Sequence, residues 1–197
     1  MVLLVTANNR SLNGLGDPDA LMKVYIANQP SYYFANTNPL ATESIIPIEK
    51  NELYECGQAC GNGWRKVFNV YAKFVFALSN NQFGVFTDYT KWQEYRDCLL
   101  LRKNSKTALL FAEPALTPLN TKSDAIHIVM GKAYAHTLLE KNLIGNPYDM
   151  IWLNTEFALN TKLRVIICPY FDYRQLSNLK ILYLVELVQS HFYSTPA

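Results

Sequence analysis

The residues of this chain that could carry chemistry stand at the ends of apolar runs. Cys168-Pro-Tyr-Phe-Asp-Tyr-Arg-Gln-Leu-Ser177 follows Leu163-Arg-Val-Ile-Ile167 and opens a long apolar segment that ends near Phe192. It holds three aromatic rings (Tyr170, Phe171 and Tyr173), the acid Asp172 and the base Arg174. Glu113 precedes a proline at the end of Thr107–Ala112, and Asn28 and Gln29 precede Pro30 at the end of Met22–Ala27. Aromatic rings stack on planar ligands, carboxamides read hydrogen-bonding edges, and an arginine near a helix start can hold a phosphate. In an open α/β sheet, ligands bind outside the carboxyl ends of the strands. The expected crevice therefore joins the ends of strands 22–27, 107–112 and 163–168. Its ligand-binding residues would be Asn28, Gln29, Glu113, Tyr170, Phe171, Asp172 and Arg174. Plainer roles compete with these: amides bonding turn backbones, a solvated Glu113, and an Asp172/Gln175 capping box that starts the last helix. Asp172 would also repel an anion held by Arg174.

Periodicity supplies the elements that would position these groups. Trp64, Val67, Phe68, Tyr71, Phe74, Val75 and Leu78 recur at three and four residues, which predicts a helix over 64–78 with this stripe in the core. A second amphipathic helix is predicted over 91–101, with Trp92, Tyr95, Leu99 and Cys98 inward. A short helix over 49–57 precedes Gly57, Gly61 and Gly63, which should interrupt regular structure. The closing helix, 173–192, is apolar almost all round and so reads as buried. Strands are expected at Met22–Ala27, Thr107–Ala112, Met150–Asn154 and Leu163–Cys168. Gln82–Thr87 reads as a strand or extended link, Asn8–Pro18 as a loop, and Ser31–Pro47 as ordered but irregular. Residues 125–140 admit two readings. One is a strand to Met130, Gly131, and a helix over Lys132–Glu140; the other is one helix capped by Ser123. The short spacing from the preceding strand counts against the first for a parallel crossover, although it is slightly favoured. The sum is a single α/β domain over 1–197, three-layered, with a mostly parallel central sheet flanked by helices.

A chain of 197 residues, half of them apolar and 13% aromatic, can bury a substantial core. The net charge of +2 gives no reason to assume a nucleic-acid or membrane partner. Residues 61–110 hold eight Lys/Arg against three Asp/Glu, but basic residues on amphipathic helices usually form the solvated face. Cys56 and Cys60 lack the second pair or the histidines that a tetrahedral zinc set needs. No segment has the pattern of a signal peptide or the length of a membrane span, so free thiols in a cytoplasmic protein are expected. No glycine-rich phosphate loop, nucleophile elbow or HExxH helix occurs, and no cofactor or metal is implied. Of the three histidines, His127 reads as a core residue, His136 as helix surface and His191 as a helix end.

Three segments resemble the uracil-DNA glycosylase superfamily. Val24-Tyr-Ile-Ala-Asn-Gln-Pro30 is similar to its first-strand motif, where an acid or amide before a proline handles the attacking water. Asn62-Gly-Trp-Arg-Lys-Val-Phe68 is similar to the helix start of its mismatch-specific branch. Val165-Ile-Ile-Cys-Pro-Tyr-Phe171 resembles its last strand and turn, which contact the base and enter the DNA groove. The resemblance implies a glycosylase-like fold that binds nucleic acid or a nucleobase-like ligand, with Tyr170, Phe171 and Tyr173 stacking or wedging. It places Gln29 at the water-positioning acid and Cys168 at the histidine. Glutamine cannot take a proton, and a buried neutral thiol cannot stabilise an anionic leaving base, so ordinary uracil excision is not expected. Asn28 could orient a water if the register shifts by one. An alternative of another class is a protein-interaction module that uses the aromatic turn 168–177.

Overall fold

The computed structural model describes residues 12–37, 45–79, 89–117 and 124–193. Its strands are β1 (Gly14–Gly16), β2 (Met22–Tyr25), β3 (Ile45–Ile46), β4 (Thr107–Leu110), β5 (Ile126–Met130), β6 (Ile151–Trp152), β7 (Ala158–Asn160) and β8 (Val165–Cys168). Its helices are α1 (Glu52–Ala59), α2 (Asn62–Ser79), α3 (Trp92–Cys98), α4 (Lys132–Glu140) and α5 (Asn178–Phe192). The strands form one sheet in the order β3-β1-β4-β2-β5-β8-β7-β6. The four central strands, β4-β2-β5-β8, run parallel, with Tyr25 opposite both Leu110 and Val129, and Met130 opposite Cys168. β1 lies antiparallel to β4, and the β6–β7 hairpin continues antiparallel from β8. The expected α/β class and mostly parallel sheet are thus present, with antiparallel margins.

Strand composition explains the burial. Every residue of β4, β5 and β8 is buried, as continuous apolar runs covered on both faces must be. Alternate residues feed two cores. Val24, Leu109, Ile128 and Ile166 pack with Phe68, Tyr71 and Phe74 of α2, Tyr95 of α3 and Leu184 of α5. Tyr25, Ala108, Val129 and Ile167 pack on the other face with Ala135, Leu138 and Leu139 of α4. The α2 stripe is therefore core, as its period predicts, and Tyr71 adds a polar tie. Its hydroxyl donates to Met22 O and Ala108 O at 3.1 and 3.0 Å, joining β2 to β4 from the helix side. Among the described residues, no helix is long and apolar enough to cross a membrane.

Several boundaries differ from those read in the sequence. Residues 14–16 are strand rather than loop. Glycine permits it: Gly16 has φ +123°, and an added Cβ there would collide with Thr107 O of β4. Gly63 does not interrupt structure but lies in the first turn of α2, and Gly57 lies within α1; Gly61, at φ +84°, makes the break. Cys98 is exposed, because α3 spans only seven residues and turns just Tyr95 fully inward. Residues 125–131 follow the strand reading, because β5 is inserted beside β2 and its chain reaches it by crossing over from β4. The closing helix begins at Asn178, not Tyr173, and its N-cap is Ser177, whose hydroxyl accepts from Lys180 N. The expected Asp172/Gln175 capping box is absent. Asp172 O instead accepts from Gln175 N and Leu176 N, both at 2.8 Å, and this turn delivers Leu176 to the core before the helix starts. The reading of Gln82–Thr87 falls outside the described residues.

Candidate ligand-binding site at the strand ends

β2 is followed in the chain by β3 and β4 on one side of it and then by β5 on the other. The two strands whose connections depart in opposite directions leave a gap between their carboxyl ends, where open α/β sheets bind ligands. Here that junction lies between Tyr25 of β2 and Met130 of β5.

The start of α2 spans this junction. Trp64 packs edge-on against Phe111, the residue after β4, with ring centroids 6.2 Å apart. Two residues on, Lys66 Nζ donates to Asp172 Oδ2 at 2.8 Å, beyond the end of β8. β4 and β8 flank β2 and β5 in the sheet, and strand spacing of about 4.8 Å puts them roughly 14 Å apart. From the face of the sheet on which α2 packs, one helical turn therefore touches groups beyond both flanks of the junction. On the other side of the edge, Gly131 joins β5 to α4. Its N–H donates to Cys168 O at 2.9 Å, its φ is +94°, and a Cβ there would lie 3.7 Å from the Tyr170 ring. The first turn of α4 has no side-chain cap.

The residues expected to bind a ligand are distributed unevenly about this edge. Asn28 and Gln29 are exposed in the loop after β2, and Tyr170 is half-buried beside Gly131. Glu113 is exposed and held by Lys141 Nζ at 2.5 Å. Phe171 does not belong to the site. It is fully buried, 5.8 Å from Tyr71 and 6.4 Å from Phe74 by ring centroid, because the turn after β8 must place one ring in the core. Asp172 organises the turn rather than facing a ligand: besides Lys66 it accepts Arg174 N at 2.9 Å. Arg174 makes no salt bridge among the described residues, and its guanidinium lies 6.0 Å from the Tyr173 ring, which Lys66 also approaches at 4.8 Å. Cys168 is wholly buried. Its thiol contacts Pro169 O, and burial pushes its pKa well above the ordinary range, which disfavours the nucleophilic thiolate.

Three side chains at this edge, those of Trp64, Phe111 and Tyr25, were not legible as such in the sequence. Trp64 fits the core stripe of α2, yet it is half-buried at the edge; its place after Gly63, at the helix start, was the available signal. Phe111 follows a strand that ends one residue earlier than the apolar run. Tyr25 and His127 share a buried hydrogen bond of 2.9 Å beneath the junction. His127 is thus a core histidine, as expected. A cavity of about 290 Å³ lies elsewhere, between α2, α3 and α5, where Lys73 and Asn178 bond to each other.

The Arg174 amide and then Lys66 hold the Asp172 carboxyl below its ordinary 3.8, so the folded state favours its charged form. That contribution is complete above the ordinary carboxyl range and is lost as pH falls through the lowered value. Asp172→Asn is expected to melt below the wild type at neutral pH, the gap closing towards pH 3. A gap unchanged at low pH would show that charge plays no part.

The four central parallel strands, with helices on both faces, define the class as an α/β domain with a mostly parallel mixed sheet. Residues 13–189 match the model of a family of unknown function (DUF6942), and the chain belongs to that family. No curated protein and no solved structure matches it.

Proposed function

We propose that the chain is a glycosylase-like binding domain, taking a nucleobase-like ring, alone or within a nucleic acid strand, at the β2–β5 junction without ordinary uracil-excision chemistry. The observation that carries this reading is that the first turn of α2 touches groups beyond both flanks of the junction. It brings Trp64 and Phe111 to one side of the junction while Tyr170 stands at the other. Partly exposed rings are sequence-tolerant stacking platforms for bases. Asn28 and Gln29 supply amide donors and acceptors for a ring edge, and Arg174 supplies a cation for a neighbouring phosphate. Groups suited to excision are lacking at the matching positions, since Gln29 takes no proton and the Cys168 thiol is sealed in the core. The resemblance of residues 24–30, 62–68 and 165–171 to the glycosylase superfamily is consistent with the same ligand class.

Fluorescence anisotropy with single-stranded, matched, mismatched and uracil-containing DNA, at low and moderate salt, tests the reading. Binding is expected to fall steeply with salt while retaining a preference among these DNAs. Tyr170→Ala and Arg174→Ala are expected to weaken it, and Arg174→Ala to leave stability within about 1 kcal/mol, as surface changes do. An absence of binding at low salt would refute the proposal.

A further inference from the structure

A cavity of about 260 Å³ lies where the start of α1 meets the end of α3, and it shares no lining residue with the strand-end junction. Asn51, Leu53 and Tyr54 line it from α1, and Arg96, Asp97 and Arg102 from the end of α3 and the turn after it. The Asp97 carboxylate is spent on one of the two arginines. Arg96 Nε and Nη2 donate to its oxygens at 2.7 and 3.0 Å, and Arg96 Nη1 donates to Asn69 Oδ1. Arg102 is left with no counter-charge. Its Nη2 donates to the main-chain oxygen of Asp97 at 2.7 Å, and it makes no salt bridge among the described residues. The side chain is part-buried, and its Nε has no acceptor among those residues. A guanidinium cannot shed its proton, so a cation that gives up water without gaining an anion carries an uncompensated cost.

The α1 side of the cavity adds a neutral donor and no opposing charge. Asn51 has left-handed backbone (φ 73°), and its side chain makes no cap bond, so its carboxamide is uncommitted. The two acids of that first turn do not line the cavity and are engaged elsewhere: Glu52 accepts from Ala35 N and Glu49 N, and Glu55 from the Tyr32 hydroxyl. The lining therefore sets two cations against one carboxylate, and its surplus positive charge selects an anion. A planar carboxylate is matched by a single guanidinium fork, and that of Arg96 is already filled by Asp97. The donors that remain come from two separate segments, the start of α1 and the turn after α3. Such a spread suits the tetrahedral oxygens of a phosphate. We propose that this cavity binds a phosphate group, free or carried by a small molecule, with Arg102 as its cation and Asn51 as a neutral donor. The site is independent of the strand-end reading.

Calorimetric titration of wild type with inorganic phosphate, at pH 7.5 and constant ionic strength, tests this. Saturable binding of a single phosphate per chain is expected. Arg102→Gln should weaken it about tenfold or more, as loss of a charge-assisted contact implies. Lys103→Gln removes the same charge from an exposed neighbour that does not line the cavity, and should leave the affinity nearly unchanged. Asn51→Asp keeps the size of the side chain and tolerates left-handed backbone, yet cancels the surplus charge, so it should abolish binding. That variant leaves Arg102 in place and decides the matter if Arg102→Gln fails to fold. Glycerol 3-phosphate distinguishes the sources: tighter binding than inorganic phosphate assigns the site to a phosphorylated small molecule, and equal binding to the free ion. An absence of saturable binding by wild type would overturn the proposal. So would binding that survives both Arg102→Gln and Asn51→Asp, or phosphate displaced by an equal concentration of acetate.

Discussion

Phe171→Ala is expected to lower the melting temperature of the protein by roughly 6–20 °C, the largest effect of any substitution in the turn after β8. The ring is fully buried between Tyr71 and Phe74, and α2 cannot close over the space it would leave without moving away from the sheet. Removing a phenyl ring from such a site costs about 3–5 kcal/mol, and in a protein of this size each kcal/mol shifts the midpoint by about 2–4 °C. Tyr170→Ala, one residue earlier, is the control and should cost less, since that ring is only half-buried. Thermal melts of the two variants therefore divide the turn into a structural half and a binding half. Equal, small shifts for both would mean that Phe171 is not the anchor described here.

Acidification should destabilise the protein through His127 before the carboxylates titrate. Burial, with Lys23 and Arg164 nearby, lowers its pKa from 6.5 to about 4, so the folded state resists a proton that the unfolded chain takes readily. The contribution is complete above pH 6.5 and is lost as pH falls towards 4. The gap corresponds to roughly 3 kcal/mol at the acid end. Tyr25 bonds the ring at Nδ1, and those two cations raise the cost of a further positive charge there. Melting wild type and His127→Gln between pH 7.5 and 4.5 checks this. The wild-type midpoint should fall across that range, and the variant's should fall much less. Parallel curves would remove His127 from the account.

Local pattern was a good guide to the elements and a poor one to the site, for a physical reason. α2 and the central strands were legible because burial on a helix stripe, or on both faces of a parallel strand, leaves a periodic or continuous apolar record. β1 and β7 left no such record. They are three residues long, and β1 is built from glycines whose value lies in close approach to β4 rather than in hydrophobicity. At the site, Asn28, Gln29 and Tyr170 could be nominated because strand ends are marked by prolines. The division of labour within residues 170–174 could not be read, because it depends on which ring faces α2. Trp64 and Tyr134 escaped notice for the same reason. Each has the sequence context of a core residue, and only the packing shows that Trp64 reaches the edge and that the Tyr134 hydroxyl is buried with no partner among the described residues.

The position of β2 also governs how the chain can assemble. Its hydrogen-bonding partners are Thr107–Leu110 on one side and Ile126–Val129 on the other, so both lie far along the chain from Met22–Tyr25. No local hairpin can satisfy this strand, and loops of some 80 residues or more must close before either ladder begins. Closure on that scale is entropically costly and slows folding relative to helical proteins of equal size. During synthesis β2 leaves the ribosome long before β5 exists. Until then it presents two open edges and a buried-type surface to the cell, so the central strand of the finished sheet is the most exposed strand of the nascent one.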